Sequence, residues 1–140
     1  MGQRKARFVA VHPVAESLML AALRVQAVVM GVVAGGFCIT IVGFLVGGGL
    51  ALLDVSNGPD IGLLAGVLVG LMAGGWVAGR MAIHSHRFHG SVAGLLLGGV
   101  LIMLASLGSA AITIVNVLIL ALVSIVFGGA GGFIGGRRKN

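Results

Sequence analysis

Apolar residues fill four runs that carry no charge: Val25 to Leu53, Ile61 to Gly79, Ser91 to Leu107 and Ser109 to Ile134. Such a run crosses a bilayer as a helix once it reaches about 20 residues, because a hydrocarbon core of about 30 Å is covered at about 1.5 Å per residue. The pattern predicts four transmembrane helices. Between the first two runs, Asp54-Val-Ser-Asn-Gly-Pro-Asp60 collects turn formers and two acids, the make-up of a polar loop. Between the second and third, Arg80 to His89 holds two arginines and three histidines. From Gly90 to Gly136 there is no charge at all, a stretch too long for one crossing, so a tight turn is expected at Gly108-Ser109. Pro13 is placed to open a helix at its first turn. Residues 1–24 then form a basic segment with an interfacial helix, 25–136 the transmembrane domain and 137–140 a basic tail.

Composition agrees with this reading and removes the soluble alternatives. The chain is 59% hydrophobic and 9% charged, whereas a soluble domain needs about a quarter of its residues charged. The expected fold class is an all-α membrane bundle of four helices. All nine Lys and Arg residues fall on one side of that topology: Arg4, Lys5, Arg7 and Arg24 before the first span, Arg80 and Arg87 in the middle loop, Arg137, Arg138 and Lys139 in the tail. The opposite loops carry none, and one of them carries Asp54 and Asp60. Basic residues at helix ends are retained in the cytoplasm, so both termini are expected there, with anionic headgroups as partners of the basic side. Nucleic acid is not expected, the basic groups being few and without interleaved aromatics.

The start of the chain is not expected to be a cleaved signal, since Leu18 to Leu23 is short for an apolar signal core and Arg24 interrupts it. Cys38 follows Phe37 rather than a small residue, which argues against lipid attachment. As the single cysteine it cannot form an internal disulfide and reads as a small apolar thiol.

Small residues recur at four-residue spacing. Gly62, Gly66, Gly70, Gly74 and Ala78 form one row on the second span, Gly90, Gly94 and Gly98 on the third, Ser124, Gly128, Gly132 and Gly136 on the fourth, with Gly31-Gly35 and Gly43-Gly47 on the first. On a helix such rows make grooves that admit a neighbouring backbone, the main source of helix association in lipid. A glycine-zipper bundle is expected, with most rows used inside the chain and at least one left for a partner. Ala73-Gly-Gly-Trp76-Val-Ala-Gly-Arg80 aligns with Ala130-Gly-Gly-Phe133-Ile-Gly-Gly-Arg137, which points to two helical hairpins in tandem. Arg24, Trp76, Arg80, Arg87, Phe133, Arg137 and Arg138 are the expected interface anchors.

Reactive chemistry is sparse. No Asp, Glu, Lys, Arg, His or Tyr lies well inside a span, which disfavours proton relays, intramembrane ion sites and intramembrane proteolysis. Thr40, Ser106, Thr113, Asn116 and Ser124 are polar residues inside the spans, with Asn116 read as a cross-helix hydrogen-bonding group. His84, His86 and His89 are the metal-ligand candidates. Arg80 and Arg87 oppose a dication there and no Cys or acid of the loop completes a site, so no metal and no cofactor are expected. A pH-sensitive headgroup contact is the other use these histidines suggest.

The run from Ala73 to Ala82, a short polar stretch, then His89-Gly90-Ser-Val-Ala-Gly94-Leu-Leu-Leu-Gly98 resembles the core of a family of small bacterial four-helix membrane proteins of unknown function. The likeness covers about thirty residues and implies a bacterial inner-membrane location with four spans, without an activity to transfer. This chain departs from that pattern in its longer basic N-terminus and two extra histidines in the loop. A fluoride channel would need polar pore residues and a central helix break, and a small multidrug transporter a Glu in its first span; neither is present. The sequence thus leads to a non-enzymatic accessory or scaffold subunit that packs through glycine-rich faces. The alternative is a homo-oligomeric channel or small-solute transporter.

Overall fold

In a computed structural model the chain forms four α-helices, α1 (Pro13–Leu52), α2 (Gly58–Met81), α3 (His86–Leu107) and α4 (Ile114–Gly136). The structure describes residues 13–82, 85–108 and 112–137. All four helices are long and apolar enough to cross a membrane, and the fold is an all-α bundle of membrane spans. α1 runs for 40 residues without a break at Arg24, so the expected lead-in is the first part of the span helix itself. No proline follows Pro13 in it and no glycine precedes Gly31, which leaves nothing to interrupt the ladder.

The ends follow from local chemistry. α1 closes with Val55 N–H on Leu50 C=O and Asp54 N–H on Ala51 C=O, both at 3.1 Å, a Schellman closure whose left-handed position is held by Asp54 at φ 57°. α2 opens with Pro59 in its first turn and Asp60 beside the positive end of its dipole, and carries Arg80 in its last turn. α4 begins at Ile114, later than the expected turn at Gly108-Ser109. Ser109 lies outside the described residues. Thr113 is extended (φ −92°, ψ 150°), and the β-branched Ile112 and Thr113 favour that conformation over a helical turn.

Neighbouring spans meet backbone to backbone. A Cβ on Gly74 would stand 2.6 Å from the Gly31 carbonyl oxygen, one on Gly35 2.8 Å from that of Gly70, and one on Gly66 2.7 Å from that of Ile39. These pairs run antiparallel and join α1 to α2 along the whole row from Gly62 to Ala78. α3 and α4 repeat the arrangement: a Cβ on Gly128 would stand 2.6 Å from the Gly90 carbonyl oxygen, one on Gly132 2.5 Å from that of His86 and one on Gly98 2.5 Å from Ser124 Oγ. The two hairpins join through α2 and α4, which run parallel: Gly75 faces Gly128 and Gly79 faces Gly132, while Gly131 faces Met72 and Gly135 faces Trp76. These contacts are reciprocal, so the two copies of the Ala-Gly-Gly-aromatic motif pack on each other. α3 also touches α1 and α2, whereas α1 and α4 stand at opposite corners without contact among the described residues.

Few large side chains are interior. Leu71, Leu97 and Ile39 form the main buried cluster and Val28, Ala78 and Ala93 a smaller one. Phe44 is 78% exposed and Ile114 78%, so the bulky apolar residues face outward, the inverse of a water-soluble protein. Lipid provides little force that would drive these side chains inward. The bundle is held instead by dispersion and Cα–H···O contacts at close backbone approach.

Candidate functional site

The arginines and histidines of the described bundle concentrate at one end. The Gly31–Ala93 and Gly35–Leu97 contacts set α1 and α3 side by side in parallel, which brings Arg24 to the level of His86. The Gly31–Gly74 contact brings the same level to Met81 on α2, and the His86–Gly136 contact brings it to the end of α4. Arg24, Arg80, Arg87 and Arg137 therefore belong to one layer. The side chain of Arg24, and Arg138 altogether, lie outside the described residues. One turn inward stand the two aromatic rings: Arg80 lies 5.2 Å over Trp76, and Arg87 and Arg137 lie 4.1 and 5.3 Å from the Phe133 centroid. Phe133 thus collects one guanidinium from α3 and one from α4, each favoured by the ring quadrupole.

The histidines are used by the backbone. His86 Nδ1–H donates to the Gly79 carbonyl oxygen at 2.7 Å, filling one of the acceptors that the last turn of α2 leaves without an intrahelical partner. Its ring also occupies the space over Gly136, so His86 ties α2, α3 and α4 together. His89 Nδ1–H donates to Ser85 C=O at 3.2 Å. His84 lies outside the described residues, and among the described residues no three potential ligands gather around a metal position.

No family model, curated protein or solved structure matches the chain. The functional reading therefore rests on the geometry.

Inside the spans, polar side chains mostly bond to their own helix, Thr40 to Gly36 C=O at 3.1 Å and Ser106 to Ile102 C=O at 2.8 Å. Ser91 crosses from α3 to Ile125 C=O of α4 at 3.3 Å. Asn116 makes no cross-helix bond among the described residues; it is exposed and lines an open groove of about 220 Å³ between α2 and α4, with Leu64, Val67, Leu68, Ile119, Leu120 and Val123. The expected cross-helix role of Asn116 is filled by Ser91 and His86. Ser124 is fully buried against Gly98 and its hydroxyl has no partner.

Every row singled out in the sequence, Gly62 to Ala78, Gly90 to Gly98, Ser124 to Gly136 and the pairs on α1, lies against a neighbour within the chain. The residues missed in the sequence are Gly75, Gly79, Gly131 and Gly135, the second small-residue faces of α2 and α4. Their signal was the doublets Gly74-Gly75 and Gly131-Gly132. In each doublet the two glycines serve different neighbours, Gly74 facing α1 and Gly75 facing α4, Gly131 facing α2 and Gly132 facing α3.

Proposed function

We propose that this chain is a non-enzymatic, multi-pass integral membrane protein that serves as an accessory or scaffold subunit. The reading is carried by where its material lies: glycine-to-backbone contacts close the middle of the bundle, and the large apolar side chains are on the outside. A bundle built this way offers its partners a stiff apolar surface. In bacterial terms it is an inner-membrane protein with the arginine layer and both termini on the cytoplasmic side, following the retention of basic residues there. Anionic headgroups meet that layer.

Native mass spectrometry of the chain extracted from its own membrane in mild detergent tests the subunit reading. A complex containing this chain and a different membrane protein is the expected result. Homo-oligomers alone, together with solute flux in liposomes holding only this protein, would contradict it and favour the channel or transporter alternative.

A further inference from the structure

We infer that the α3–α4 corner of the arginine layer is a binding site for the phosphodiester of an anionic phospholipid, held between the guanidiniums of Arg87 and Arg137. The inference rests on the bundle spanning a bilayer and not on the subunit reading, so each can fail without the other.

Arg87 at the start of α3 and Arg137 at the end of α4 come to the same Phe133 ring, which sets their charges about 10 Å or less apart, close enough for both to attract one anion. Arg87 also stands in the first turn of α3, beside the positive end of the helix dipole, and α3 has neither a side-chain cap nor an acid in that turn. The acids of residues 25–137 are Asp54 and Asp60, both at the opposite end of the bundle. Glu16, the remaining acid, stands about two helical turns beyond Arg24 along α1, and its side chain lies outside the described residues. Among the described side chains no carboxylate therefore faces Arg87 or Arg137, and an anion completes the corner.

The ring determines which anion fits. The ring offers the guanidiniums no hydrogen-bond acceptor and leaves their N–H groups for paired bonds to phosphate oxygens. Arginines at helix ends reach the headgroup level while their stems lie on apolar surface, and Phe133, one turn inside Arg137, is exposed on an otherwise apolar outer surface. A phosphate at that depth, with apolar protein immediately below it, is a lipid phosphate. Free inorganic phosphate shares the oxygen chemistry but gains nothing from the apolar surface.

The test places the whole chain in nanodiscs of equal phosphatidylglycerol and phosphatidylcholine and identifies by native mass spectrometry the lipid that leaves with it. The unaltered chain is expected to retain phosphatidylglycerol in preference. Arg87→Gln and Arg137→Gln are each expected to lower that retention about fivefold, while Arg80→Gln, whose guanidinium lies over the separate Trp76 ring, leaves it unchanged. Equal retention of both lipids by the unaltered chain overturns the site, as does full retention by both glutamine variants. An equal loss in all three variants also overturns it, since that is the behaviour of diffuse attraction. Release of the lipid by millimolar inorganic phosphate assigns the corner to a free anion instead. The comparison of lipids on the unaltered chain is independent of how any variant folds.

Discussion

His86 donates its Nδ1 proton to the carbonyl oxygen of Gly79 at 2.7 Å, so a side chain at the start of α3 closes the end of α2. Losing that bond leaves a carbonyl at the helix end without its acceptor role filled, and empties the space over Gly136. His86→Ala is expected to destabilise the bundle by about 1–3 kcal/mol, read as a lower melting temperature in micelles. An unchanged melting temperature would mean that water satisfies Gly79 equally well.

The closure of α1 at Asp54 runs the other way. A left-handed residue with a side chain at the position after a helix is strained, and glycine is the residue that relieves it. Asp54→Gly should raise stability by up to about 1 kcal/mol, measured against Asp54→Val, which should lower it. The opposite order would show that the carboxylate itself holds the loop.

Ser124 carries a desolvated hydroxyl with no partner, facing Gly98 across the α3–α4 contact. Ser124→Ala keeps the Cβ that fits this contact and removes the unsatisfied group. A gain of about 1 kcal/mol is expected. A loss of similar size would show that the hydroxyl is bonded in the membrane.

The all-α class and the number of membrane-span helices were legible because, in a chain this apolar, the membrane dictates where charges can stand. Gly74 and Gly128 lie where their periodicity puts them, at helix contacts. The α2–α4 contact was harder to read, because Gly75 and Gly131 sit beside residues already assigned to a row and a one-residue step changes the face of a helix by about 100°. The pairing of Arg87 with Phe133 was also hidden. It depends on which helix lies beside which, and anchors at the same depth look alike in a sequence. Asn116 was misread for a related reason: its polarity says that it seeks a partner but not which way its helix turns it.

Among the described residues the glycine rows lie against neighbouring helices of the same chain. Gly75 meets the backbone of Gly128, whereas Gly99 has nothing within 4 Å of the place where a Cβ would stand. The melting temperatures of Gly75→Ala and Gly99→Ala, taken in the same micelle over a wide range of protein concentration, test this most directly. Gly75→Ala is expected to lose about 1–3 kcal/mol through overpacking at every concentration, and Gly99→Ala to match or exceed the unaltered chain by up to about 1 kcal/mol. Equal behaviour of the two variants, or a Gly75→Ala loss that disappears on dilution, would contradict the account by placing that contact between chains.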